Sequence, residues 1–164
     1  MAKGATPAIL QLETAGVVFA VHAFQHDGSD RGFGLAAADA LGVEADRVFK
    51  TLLAELTDSR GGVSQAVGIV PVTAKLSLKD LAVALGAKRA EMCDPRVAER
   101  LTGYVVGGIS PFGQKKRLRT VVDGTAELHD TLFVSGGRRG MDLEVAPTVL
   151  VSVLEAVFAP IAAW

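Results

Sequence analysis

Arg47-Val48-Phe49-Lys50-Thr51-Leu52-Leu53-Ala54-Glu55-Leu56 runs into Thr57-Asp58-Ser59-Arg60-Gly61-Gly62 and then into a second apolar run over residues 63–72. The first run alternates with the period of a strand, so Val48, Lys50, Leu52, Ala54 and Leu56 share one face and Thr51 points to the other. The polar, glycine-ended segment after it has the composition of a hairpin turn, and the two runs are predicted to pair antiparallel. Lys50 is out of place on its face. An ammonium there either snorkels to the rim or sits in a pocket, where desolvation lowers its pKa and strengthens it as an electrophile. Thr51 is either a β-former filling a half-buried position or a group that meets a ligand.

Upstream, Thr6-Pro7, an apolar set at Ile9, Leu10 and Leu12, and Gly16 spell a short helix with a hydroxyl cap, proline in the first turn and glycine at the end. Residues 17–24 are β-branched and aromatic on both faces and predict a strand buried on two sides. A polar loop over 25–32 leads to an alanine-rich helix at 33–41, thin enough to pack close to a sheet, ended by Gly42. Downstream, Ser77-x-x-Asp80 and Asp94-Pro95 open two capped helices that stop at Gly86 and Gly103, with a short extended piece near 90–92 between them. Strands are expected at 104–106, 120–122, 131–135 and 141–145, the last two joined by the loop Gly136-Gly137-Arg138-Arg139-Gly140. A helix over 147–158 closes the chain with one apolar stripe. About seven strands of mixed direction among short helices give an α+β class with a strongly curved mixed sheet.

At 164 residues and 49% apolar content the chain makes one domain, 1–164, with a real core. A net charge of −1 creates no global field for nucleic acid, so any such contact is local or shared with a partner protein, and no DNA partner is expected. One cysteine cannot form an internal disulfide; no segment has the form of a signal peptide or of a membrane span. The expectation is a cytoplasmic protein without a membrane partner. His22 and His26 have metal-pair spacing only on a helix, and no carboxylate or cysteine cluster joins them, so neither metal nor cofactor is expected. Cys93, with neither histidine nor a run of cations beside it, reads as structural rather than nucleophilic.

The chemistry concentrates in Gly107-Gly108-Ile109-Ser110-Pro111-Phe112-Gly113-Gln114, followed at once by Lys115-Lys116-Arg117-Leu118-Arg119. Such a loop either only turns the chain or lets backbone N–H groups approach an anionic or ester-like ligand, with four cations beside it. Arg138 and Arg139 stand at a second polar apex. Asp142 interrupts an apolar strand as Lys50 does: either an edge-facing carboxylate, or a pocket group that orients a hydroxyl, amine or lysine.

Val48 to Leu53, Gly103 through Lys116, and Val134-Ser135-Gly136-Gly137-Arg138-Arg139-Gly140 resemble, in order and spacing, the YbaK/EbsC family of trans-acting aminoacyl-tRNA deacylases, in particular those that act on Cys-tRNA(Pro). The resemblance implies the fold of the editing domain of bacterial prolyl-tRNA synthetases, a mixed sheet closing toward a barrel. It implies that Lys50, Gly107 and Asp142 are catalytic, that Thr51, Gly108, Ile109, Ser110, Ser135 and Gly136 bind substrate together with Phe24, and that Lys115, Lys116 and Arg138 meet the tRNA. Phe24 departs from the tyrosine many relatives carry, which puts a role for that hydroxyl in question. The implied reaction cleaves the ester of mischarged Cys-tRNA(Pro) by attack of the substrate thiol on its own carbonyl, with prolyl-tRNA synthetase as a transient partner. A same-fold deacylase for alanine or another small amino acid, and a noncatalytic binding module, are the alternatives.

Overall fold

The computed structural model describes residues 4–25 and 33–164; His26 and the rest of the expected loop after Gln25 lie outside them. Helix α1 (Pro7–Ala15) forms as predicted, with Thr6 Oγ1 accepting from the Ile9 N–H and Gly16 closing the last turn at φ 69°. Helices α2 (Phe33–Leu41), α3 (Leu78–Ala84) and α4 (Pro95–Thr102) also occupy the predicted segments, the last two capped by Ser77 and Asp94. Each cap satisfies an orphan N–H within one turn, a local event that depends on nothing distant.

The strands are β1 (Ala20–Ala23), β2 (Phe49–Thr57), β3 (Val63–Pro71), β4 (Lys75–Leu76), β5 (Arg89–Met92), β6 (Arg119–Asp123), β7 (Leu132–Arg138), β8 (Met141–Val145), β9 (Val157–Ala159) and β10 (Ala162–Ala163). They form a five-stranded sheet of order β5-β2-β3-β6-β9, a three-stranded sheet β1-β8-β7 and the pair β10-β4. The β2–β3 hairpin is antiparallel over its whole length, whereas β3–β6 and β6–β9 are parallel, so the large sheet is mixed as expected. An isolated parallel bridge, Val48 to Phe133, joins it to the three-stranded sheet. No pairing among the described residues closes these sheets into a barrel. The main core lies between them, with Leu12, Phe49, Ile69, Phe112, Leu132 and Leu143 inside it; each such side chain contributes about 1.5–3 kcal/mol by leaving water.

Four expectations are corrected. Residues 17–24 yield only the short strand β1, which among the described residues pairs with β8 alone and so lies at the edge of its sheet, and Val18, ahead of the ladder, is 90% exposed. Residues 104–106 form no strand: side chains instead hold the segment, the Val106 N–H bonding Glu99 Oε2 at 2.8 Å and the Tyr104 hydroxyl donating to the Phe112 carbonyl at 2.7 Å. The loop over 136–140 shrinks, since β7 continues to Arg138 across an irregular register between Ser135 and Arg138. The last helix, α5 (Pro147–Leu154), ends at Glu155 in the left-handed region (φ 56°), and Val157 and Phe158 pair with β6 rather than extend the stripe.

The glycine loop is anchored to α1. Gly113, at φ 67°, donates its N–H to Gln11 Oε1 at 2.7 Å, and a Cβ there would lie 2.5 Å from the Pro7 oxygen and 2.6 Å from the Ala8 nitrogen. Backbone cannot give way as a side-chain tip can, and the left-handed conformation adds its own strain. Gly113→Ala is therefore expected to cost about 3 kcal/mol or more, read as a shifted urea midpoint.

Candidate active site

The β5 strand pairs with β2 only from Ala54 to Thr57; the last contact is the Cys93 N–H to the Leu53 carbonyl at 3.0 Å. Before that point the edge of β2 borders a cavity of about 330 Å³, whose walls come from β2, α2, the start of α4, the glycine loop and the β7–β8 hairpin. Lys50, Thr51, Gly107, Ile109, Ser135, Arg138, Asp142 and Phe24 all line it. Lys50 and Thr51 point to opposite faces, yet both reach a cavity placed at the strand's edge. Burial holds the Lys50 ammonium below its ordinary pKa, and the nearby Lys75 pushes the same way.

Thr51 is 8% exposed, and its buried Oγ1 has no hydrogen-bond partner among the described residues. A buried hydroxyl without a partner is uncommon, and one that borders a cavity is available to a ligand. Asp142, in β8 opposite Ser135 of β7 and His22 of β1, is 6% exposed. Burial alone pushes its carboxyl up to about 7, so near neutrality it exists in both protonation states. It makes no ion pair with Lys50 among the described residues. His22 bonds Glu144 instead, Nε2 to Oε1 at 2.9 Å.

Gly107, at φ 90°, sits under an aromatic and cationic clamp: an added Cβ would meet the Phe33 ring at 2.7 Å and Arg139 Nε at 2.9 Å. Arg139 donates from Nε and Nη2 to the Val106 carbonyl at 3.0 and 2.7 Å and lies 4.6 Å from the Phe33 ring centroid. Gly108 lets the loop touch the hairpin backbone, its missing Cβ falling 2.8 Å from Arg138 Cα. Its N–H is taken by the Val105 carbonyl at 2.9 Å, which removes it from the donors expected of this loop.

Other expected residues lie elsewhere. Ser110 is fully buried within the loop, its Oγ accepting from the Phe112 N–H, and Gly136 packs on Met141; neither lines the cavity. The cationic run does not flank it either. Lys115 and Lys116 dock by backbone on the end of α4, Arg117 pairs with Glu155, and Arg119 donates to the Leu85 carbonyl. Sequence reasoning missed Phe33 and Arg139 as wall residues, and Cys93, read there as structural, also lines the cavity. Burial raises the Cys93 thiol, with Glu55 adding to it, so the group stays protonated and suits a wall better than a nucleophile.

Residues 35–153 match the model of the family described as the aminoacyl-tRNA editing domain. Over 126 residues, 77% of this chain and 74% of the relative, the sequence is 39% identical to an Enterococcus faecalis protein assigned as the Cys-tRNA(Pro)/Cys-tRNA(Cys) deacylase EbsC. The fold is similar to the crystal structure of a protein assigned as a trans-editing enzyme for prolyl tRNA synthetase, at TM-score 0.82 and 22% identity over 100% of this chain and 99% of that one. It is also similar to a crystal structure of a hypothetical protein, at TM-score 0.81 and 25% identity over 96% and 99% of the two chains. The matched segment takes in Lys50, Gly107 and Asp142, and the chain belongs to the YbaK/EbsC family of aminoacyl-tRNA editing proteins, which are deacylases.

Proposed function

We propose that this deacylase cleaves the ester of mischarged Cys-tRNA(Pro) in the cavity beside β2. The observation that carries the reading is the convergence of Lys50, Gly107 and Asp142 on one small cavity, although they come from distant parts of the chain. Lys50, with the N–H groups of Gly107 and Ile109, faces the carbonyl oxygen and stabilises the charge it gains, a donor of this kind being worth about 3 kcal/mol. Asp142 as carboxylate takes the proton of the substrate thiol. The sulfur then bonds to the carbonyl carbon, the carbon–oxygen ester bond breaks, and the departing ribose oxygen recovers the proton from Asp142. A thiolactone and free tRNA result, with no enzyme nucleophile needed because the attacking group is already tethered.

The Thr51 hydroxyl holds the substrate's amino or carbonyl group. Thr51→Val keeps the shape and removes an unsatisfied buried oxygen, so stability is expected to hold or rise by about 1 kcal/mol. Cleavage is expected to fall, and a fall in melting temperature paralleling the fall in rate would instead assign the hydroxyl a structural role.

Specificity is tested with tRNA(Pro) charged with Cys, Ala, Ser or Pro, following loss of the ester. Cleavage confined to Cys is the expected result; a preference for Ala indicates the small-amino-acid alternative, which Phe24 in the wall favours, and no cleavage at all a binding module. Transient association with prolyl-tRNA synthetase completes the reading, because a chain of net charge −1 holds tRNA weakly and in a salt-sensitive way by itself.

A further inference from the structure

We propose that α4 and the segment docked on its far end form a basic track for the phosphate backbone of the RNA whose charged 3′ end occupies the cavity; the inference rests on the deacylase reading above. The helix starts at the cavity, where Pro95 and Ala98 line it. Arg96 and Arg100 are both exposed and, four residues apart, share one face with about 6 Å between them along the axis. Lys115 and Lys116, also exposed, continue the row: their N–H groups bond the Thr102 and Leu101 carbonyls at 3.1 and 3.0 Å. The Lys115 stem lies over Gly103, where an added Cβ would touch its Cγ at 3.0 Å.

The nearby carboxylates are otherwise engaged. Asp94 accepts from the Arg96 N–H and Glu99 from the Val106 N–H, both at 2.8 Å. Among the described residues none of the four cations is in an ion pair. Two placements also run against helix stability: Arg96 faces the positive end of the helix dipole, and two arginines at this spacing repel. A purely solvated face has no use for either, whereas a row of unpaired cations on a chain of net charge −1 makes a local site for a polyanion. The row begins at the cavity and leads away from it, as an RNA strand does when its last nucleotide is held inside. Charge complementarity with phosphate therefore selects RNA over a protein surface as the occupant.

The test sets the double variant Arg96→Glu/Arg100→Glu, and Arg96→Gln/Arg100→Gln in case the first folds poorly, against wild type on two substrates. One is full-length aminoacyl-tRNA; the other is a charged CCA-ended oligonucleotide a few nucleotides long. The ratio of kcat/KM on the long substrate to that on the short one is expected to fall about tenfold, through KM. The slope of log KM against log salt is expected to flatten by about 1.4 to 1.8, as for two lost phosphate contacts. Equal falls on both substrates, or no fall on either, overturn the proposal. If wild type cleaves no charged RNA, the deacylase reading fails separately, and anisotropy with uncharged tRNA decides the track: a Kd about tenfold weaker in the variant upholds it, and an unchanged Kd overturns it. Intact RNA binding with lost association to a synthetase makes the row a protein-docking surface and likewise overturns it.

Discussion

Lys50→Ala is expected to lower kcat for ester cleavage by about 100- to 1,000-fold, the range seen when one preorganised oxyanion donor is removed. The residue's place in the fold explains why the loss should fall on chemistry rather than on stability. Lys50 is half-buried on β2 with its pKa lowered by burial first and by Lys75 second, which means that holding the ammonium there costs folding energy. In the pH range just above the lowered pKa the folded state binds the proton less than the unfolded chain does, and stability recovers as pH rises through it. Lys50→Met, which keeps the stem, should then match or exceed the wild-type melting temperature and still be inactive. Retained activity in Lys50→Met would show that the ammonium only snorkels. Lys50→Arg is not a conservative rescue, since a planar fork demands a different geometry from a point charge.

Asp142→Asn is expected to do two opposite things. The folded protein holds the Asp142 proton up to about pH 7, against an ordinary carboxyl value of 3.8. Its contribution to stability is therefore complete below about pH 4 and lost progressively as pH rises from there to about 7. At about 1.4 kcal/mol per pH unit the loss has a ceiling of about 4 kcal/mol. The neutral amide escapes it, so the variant should equal wild type near pH 4 and unfold several degrees later at pH 8, as read by thermal melts across pH. Activity should move the other way. Wild-type cleavage is expected to climb as pH passes 7 and the carboxylate forms, whereas Asp142→Asn loses the climb and about 100-fold in rate. A variant with an unaltered pH–rate profile would remove Asp142 from the proton path. A carboxylate that costs this much with no cation bonded to it among the described residues is the kind of local conflict that function sustains.

The two charged residues that interrupt apolar strands, Lys50 and Asp142, were legible because strand alternation makes a misplaced charge visible without coordinates. The helix caps at Thr6, Ser77 and Asp94 and the β2–β3 hairpin were legible for the same kind of reason: each is decided within a few residues. The need for glycine at 107 and 113 was not, because it is set by Phe33 and Arg139 in one case and by the Pro7–Ala8 backbone in the other. The strand expected at 104–106 failed because apolar composition does not supply a ladder, and here Glu99 and Arg139 take the Val106 N–H and carbonyl that a neighbouring strand would have taken. The helix drawn through Phe158 failed because Val157 and Phe158 find a parallel partner in β6, far back along the chain.

By itself, then, the amino-acid sequence determined the α+β class, the helix ends, the central hairpin and which polar groups were out of place. Only the tertiary structure decided that β5 leaves β2 at Leu53, that the exposed edge brings Lys50 and Thr51 to one cavity from opposite faces, and that Arg139 and Phe33 clamp the glycine loop. Capping and alternation act over one turn or one pleat. Where a strand loses its partner, and which distant segments then gather around the gap, depends on contacts such as Val48 with Phe133 that no short stretch of chain encodes.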